Sequence, residues 1–169
     1  MIQDLIKERD IIIIGETLSN DIKVEGYIFL AKEGINDTKP LGAFRGLGIF
    51  VKEKLEKTCE KLTTQSDCSM WLKFSEELLG FGFLLCAVYF PHERSVYYKS
   101  DQFESFSAEI HEMTSEHGLP LLICGDFNAR TSNKIDYLED CEDWGENILD
   151  LDSIPIRQNK DKGTNNNGN

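Results

Sequence analysis

The sequence predicts an α/β fold in which β-sheets are covered by helices, and three observations carry that expectation. Apolar, β-branched runs recur as strands: Ile11-Ile12-Ile13-Ile14, Phe83-Leu84-Leu85-Cys86-Ala87-Val88-Tyr89-Phe90 and Leu121-Leu122-Ile123-Cys124. Two runs, Ser69 to Phe74 and Phe81 to Phe90, are separated only by Ser75 to Gly80, the layout of an antiparallel hairpin. From Asp101 to His117, Phe103, Phe106, Ile110 and Met113 fall at helical spacing, with Gly118 and Pro120 as stop signals, and that helix leads into the Leu121 run. Helices that feed strands, mixed with hairpins, give sheets with helices on their faces.

In chain order, residues 1 to 9 place Ile2, Leu5 and Ile6 on one helical face, ahead of a strand at Asp10 to Gly15. Gly26 to Leu30 reads as a short strand, and Gly34 to Gly42, with Asn36, Asp37 and Pro40, as a loop. A further strand covers Arg45 to Lys52. Here Gly46-x-Gly48 opens a strand rather than a helix, so it is a bend or close-packing site and not a dinucleotide fingerprint. From Gln158 onward the chain is polar and Asn-rich with no apolar anchor, the composition of a disordered tail. The expected organisation is one domain over residues 1–157 and a tail over 158–169.

A chain of 169 residues, 40% hydrophobic, can bury the core of one ordinary domain. Its longest apolar runs fall far short of the roughly 20 residues of a membrane-spanning helix, and Met1 leads into a charged segment rather than a signal peptide. An intracellular, non-membrane protein is expected. Five cysteines show no CxxC pairing, and Cys86 and Cys124 sit inside apolar runs, as small buried hydrophobes do. The net charge of −12 argues against tight nonspecific binding to nucleic acid, which depends on Lys and Arg neutralising phosphates. It leaves open a site that holds a cation with carboxylates. The acid excess gathers between Asp136 and Asp152, whose spacing fits a solvated acidic segment and no EF-hand.

The chemistry is concentrated where the apolar runs end. Ile14 is followed by Gly15-Glu16-Thr17, Val88 by Tyr89-Phe90-Pro91, and Cys124 by Gly125-Asp126-Phe127-Asn128-Ala129-Arg130. In an extended strand, Asp126 and Asn128 at i and i+2 would point to one face, and Glu16 could share their site. The residues alone equally allow Asp126-x-Asn128 to cap a turn, Tyr89 to be a half-buried aromatic and Arg130 to be solvated.

These three endings, in this order, resemble the endonuclease/exonuclease/phosphatase superfamily, and most of all the endonuclease domains of non-LTR retrotransposons. Those domains read Q-E-T, V-Y-x-P and G-D-F-N-A-R-T at the corresponding strand ends; Gly15 stands here in place of the glutamine. Gly46-Leu47-Gly48-Ile49-Phe50-Val51 and the segment Pro91 to Tyr98 extend the likeness, as do Arg157, Asp161, Asn165 and Gly168 at the spacing of a retrotransposon loop. The resemblance implies a four-layer α/β sandwich, two packed sheets with helices outside, and Mg²⁺-dependent phosphodiester hydrolysis with Mn²⁺ as the substitute. It implies Glu16 as metal ligand and Asp126 as the group that orients or deprotonates the attacking water. Asn128 and Tyr89 would contact the scissile phosphate, Arg130 the backbone phosphate. The implied substrate is DNA, nicked in the nucleus.

Two family features do not occur in the sequence: an initial strand ending in asparagine, and terminal strands with an aspartate and an S-D-H motif. None of His92, His111 and His117 lies in such a context. The expectation is an interior fragment of the domain with impaired turnover. The alternatives are a non-catalytic remnant acting at most as a binding module, and a phosphatase of the same superfamily.

Overall fold

The computed structural model describes residues 8–17, 21–32, 46–129 and 163–165. The chain divides into two units, Met1–Asn128 and Ala129–Asn169. Every element below belongs to the first; in the second, Gly163 to Asn165 are described and Asn165 is buried. The expected N-terminal helix, the loop at 34–42, the acidic stretch at 136–152, Arg130 and most of the polar tail lie outside the described residues.

One sheet has three antiparallel strands, β1 (Ile11–Thr17), β2 (Tyr27–Lys32) and β3 (Gly46–Lys52), in the order β1-β3-β2. The second has four, β4 (Cys59–Leu62), β5 (Ser69–Phe74), β6 (Phe83–Tyr89) and β7 (Leu121–Asp126), in sequence order. β4, β5 and β6 pair antiparallel, so the expected hairpin is present, with Ser69 opposite Val88 and Phe74 opposite Phe83. β6 and β7 pair parallel, because the helix α1 (Gln102–His117) carries the chain back between them. Helix α1 stops at Gly118, whose left-handed backbone (φ 59°) lets its N–H reach the Thr114 carbonyl at 2.9 Å.

Strand alternation builds two cores from these elements. Leu47, Ile49 and Val51 of β3 face Met70, Leu72 and Phe74 of β5 and Phe83, Leu85 and Ala87 of β6, filling the space between the sheets. The intervening residues Trp71, Leu84, Cys86 and Val88 meet Phe106 and Met113 of α1 on the other face. Strand β6 is therefore buried on both sides, which is why its sequence is an unbroken apolar run instead of an alternating one. Each fully buried aliphatic side chain contributes about 1.5–3 kcal/mol. The described layers are thus helix, sheet and sheet, packed face to face as an α/β sandwich.

Two features were not anticipated from the sequence. A 3-10 helix, Glu53–Thr58, and the short strand β4 follow β3, where the charged run Lys52-Glu53-Lys54 gave no strand or helix period. β1 also runs two residues further than expected, through Glu16 to Thr17, with a register shift against β3 between Ile14 and Thr17. Among the described residues no helix is long and apolar enough to cross a membrane. Cys59, Cys68, Cys86 and Cys124 are free thiols, and burial pushes Cys59 and Cys68 up to about 11 and Cys86 higher still.

Candidate active site

The ends of β1, β6 and β7 lie on one edge of the sandwich, and three of the anticipated site residues come from them. At the end of β1, Ile14 pairs with Gly48 and Thr17 with Gly46, so Gly15 and Glu16 together oppose Leu47. This is a β-bulge, and it turns Glu16 to φ 55°. Gly15, beside the bulge, leaves room for the Tyr89 ring. A Cβ there would lie 3.2 Å from the Tyr89 ring, tighter than most side chains allow.

β6 contributes Tyr89, and its neighbour Phe90 points the opposite way. The Phe90 ring, 1% exposed, is packed edge-on by Phe103, Phe106 and Phe127 at centroid distances of 4.8, 5.4 and 5.4 Å. β7 runs beside β6 with Asp126 opposite Tyr89, and the Phe90 N–H donates to the Asp126 carbonyl at 2.9 Å. This close approach depends on Gly125. At φ 150° its position would place a Cβ only 1.9 Å from the Val88 carbonyl oxygen. Gly125 is a site-forming residue that motif reading passed over; its signal is a glycine closing an otherwise apolar strand.

Asn128 departs from the expected geometry. The strand ends at Asp126, and Asn128 turns left-handed at φ 48°, so the two are not side by side on a strand face. Instead the Asp126 carboxylate Oδ1 accepts the Asn128 backbone N–H at 2.8 Å, a turn of the Asx kind. The turn and the site coincide. Glu16 and Asn128 are the two non-glycine residues with positive φ among those described, and both belong to this cluster. Backbone held in a sparsely populated region persists where its surroundings over-determine it, commonly at functional sites.

A hydrogen-bonded network joins the four residues. The Tyr89 hydroxyl donates to Glu16 Oε1 across the two sheets. Asn128 bonds the same hydroxyl, and its Nδ2 also donates to the Phe90 carbonyl at 2.7 Å. Tyr89 is pushed up to about 12, first by burial, then by its bond to Glu16 and the charges of Glu16 and Asp126. Both carboxylates therefore bear on one phenol. Arg130 falls outside the described residues.

Comparison of the sequence with known protein families and with curated proteins gives no match. Among solved structures, the chain is similar to the human Nocturnin catalytic domain with bound sulfate anion, at 15% identity and a TM-score of 0.45. The similarity covers 62% of this chain and 44% of that one, so the chain spans less than half the length of the solved domain.

The donor set suits a hard cation. Glu16 and Asp126 offer carboxylate oxygens from two strand ends, with no thiolate and no histidine hydrogen-bonded to the cluster among the described residues. No group of three or more His, Cys, Asp or Glu with metal-holding geometry occurs among those residues. Carboxylate oxygens are the ligands hard divalent cations take, whereas a structural zinc site takes four closely placed N or S ligands.

Proposed function

We propose that the strand-end cluster is a divalent-metal phosphodiesterase site of the endonuclease/exonuclease/phosphatase kind, acting on DNA as a retrotransposon-type endonuclease. The observation that carries the reading is convergence: Glu16, Tyr89, Asp126 and Asn128, singled out by three sequence motifs, are tied into one network. Glu16 would hold Mg²⁺ or Mn²⁺, whose chemistry is to neutralise charge on the phosphoryl oxygens. Asp126 would accept the proton of the attacking water: Oδ1 is engaged by the Asn128 N–H, and Oδ2 has no hydrogen bond among the described residues. Tyr89, kept protonated well beyond neutral pH, has one O–H, which Glu16 accepts here; with a cation held by Glu16 that O–H would turn to the scissile phosphate, and Asn128 would keep the phenol oxygen in place.

A second reading, a binding module without turnover, is favoured by one observation. Among the described residues no hydrogen bond links a histidine to the cluster, so no imidazole is placed to assist the leaving oxygen. One experiment separates the two. The purified, folded chain is incubated with supercoiled plasmid and Mg²⁺, beside an EDTA control and the variants Glu16→Ala and Asp126→Ala. The hydrolase reading requires nicking that EDTA abolishes and that each variant lowers by roughly 10²–10⁴-fold. Equal nicking by all three proteins, or none by the folded wild type, leaves the binding-module reading.

A further inference from the structure

Lys32 ends β2 and continues the stripe of Ile28 and Leu30, which packs against the inter-sheet core. An apolar side chain would extend that stripe, but the lysine crosses the gap. Its ammonium donates to the Ser69 carbonyl at 2.8 Å and to the Thr64 hydroxyl at 3.2 Å. The β4–β5 ladder has its last rung at Leu62 and Trp71, and continuing its register would set Thr64 opposite Ser69. Lys32 therefore bonds both sides of the ladder's open end. Burial pulls its ammonium below the ordinary lysine range, while the charge of Glu109, itself held by the Ser69 hydroxyl at 2.6 Å, acts in the other direction.

The same ladder end holds the strand-end site. Cys68, next to Ser69, offers the carbonyl that accepts the Tyr89 N–H at 2.9 Å, one step beyond the pairing of Ser69 with Val88. In the first sheet, Leu47 has Lys32 opposite it on one side and the bulge at Gly15 and Glu16 on the other. The contacts close into a ring. It runs from Glu16 across β3 to Lys32, over the gap to Ser69, along the chain to Cys68, on to Tyr89 and back to Glu16. A half-buried ammonium costs desolvation, and an apolar side chain of similar length would serve the core as well or better. What the ammonium adds is a fixed separation of the two sheets beside the Glu16–Tyr89 contact.

We propose that Lys32 is a positioning residue of the strand-end site, a strut that holds the Ser69 end of β5, and through Cys68 the Tyr89 backbone, where the Tyr89 hydroxyl meets Glu16. Its consequence for turnover rests on the hydrolase reading. The strut itself is measured without substrate.

The test compares the full chain with Lys32→Met, which keeps the length and loses the donors, and Lys32→Arg, which keeps a cationic donor. Amide hydrogen exchange is followed by NMR at Tyr89 and at Leu85, which lies in the middle of β6 opposite Leu72. Lys32→Met should speed exchange at Tyr89 by about tenfold or more relative to Leu85, the effect of losing a bond from a charged donor at one end of the strand. Lys32→Arg should restore it to within about threefold. In the plasmid assay, Lys32→Met should lower kcat by about tenfold and leave KM within about twofold, since Lys32 acts through Tyr89. Equal acceleration at Tyr89 and Leu85, which is general destabilisation, or none at Tyr89, would overturn the proposal. So would an unchanged kcat in Lys32→Met where the wild type nicks. A folded wild type that does not nick removes the hydrolase reading, and the exchange result alone then decides the strut. Should Lys32→Met fail to fold by circular dichroism, Lys32→Gln, too short to span the gap, takes its place with the same expected exchange.

Discussion

The hydroxyl of Tyr89 and the carboxylate of Glu16 bond across the gap between the two sheets, at the edge where β1, β6 and β7 end. The two residues come to this point by different means. Glu16 gets there through the bulge opposite Leu47, and Tyr89 occupies the space that Gly15 leaves open by lacking a side chain. The glycine at position 15 is thus bound up with the ring that lies over it. A polar contact thus stands at the edge of the sandwich where β1, β6 and β7 end.

The first expected outcome concerns the Tyr89 proton. The phenol is pushed from its ordinary 10.0 up to about 12, so the folded chain keeps a proton that the unfolded chain has lost. Its contribution to stability is complete below pH 10 and falls as pH rises through about 12. Ultraviolet titration of tyrosinate in wild type minus Tyr89→Phe should show a midpoint near 12. Glu16→Gln removes a negative neighbour and should move that midpoint down. A midpoint unmoved by Glu16→Gln would mean the two side chains are not in contact.

A second outcome separates two glycines. Gly125→Ala puts a methyl 1.9 Å from the Val88 carbonyl oxygen, which is backbone and cannot swing aside, so β7 must separate from β6. The expected loss is on the order of 4 kcal/mol, the size reserved for strained backbone and broken packing. Gly118→Ala, in open space at φ 59°, should cost only about 1–2 kcal/mol from its left-handed backbone. Urea unfolding of the two variants side by side measures the difference, and equal losses would contradict the close approach of the strands.

How far the sequence disclosed this arrangement depends on the kind of information involved. Strand β6 was legible because burial on both faces demands an unbroken apolar run, and α1 because Phe103, Phe106, Ile110 and Met113 keep a helical period. The fate of Asp126 and Asn128 was ambiguous. The dipeptide spacing allows a strand face or a turn, and only the φ of Asn128 decides for the turn. The need for glycine at 125, and the room that glycine leaves at 15, were invisible, since they arise from Val88 and Tyr89, which are distant in sequence. β4 was missed because its four residues, Cys59-Glu60-Lys61-Leu62, carry two charges and owe their strand state to pairing with β5.

Asn128 provides the third test, because its backbone and its side chain do different work. At φ 48°, Asn128→Ala loses the bond to the Phe90 carbonyl and keeps the clash of a Cβ in left-handed backbone, now without the side-chain hydrogen bonding by which Asn tolerates it. Asn128→Gly loses the same bond without the clash. The glycine variant is therefore expected to be more stable than the alanine variant by about 1 kcal/mol. Thermal unfolding reports this difference directly. In the plasmid assay both variants should fall together, since neither can orient the Tyr89 hydroxyl.

The last test asks whether the aromatic cluster holds the site from behind. Phe127 lies between Asp126 and Asn128 in sequence but turns to the helix side, where its ring meets Phe90 at 5.4 Å and Phe106 at 6.2 Å. With Phe127 anchored, the flanking residues are directed to the opposite side, and the Phe90 carbonyl is held where Asn128 Nδ2 finds it. Phe127→Leu keeps much of the apolar volume but removes the edge-on ring contacts, which are worth about 0.5–1.5 kcal/mol beyond burial. A stability loss of about 1–2 kcal/mol is expected, together with nicking in the plasmid assay lowered by about tenfold although no group proposed to meet the phosphate has changed. The same substitution at Phe103, which also packs on Phe90 but lies on α1, should cost similar stability and leave cleavage within about twofold. If both variants cleave alike, the cluster supports the fold and has no part in positioning Asp126 and Asn128.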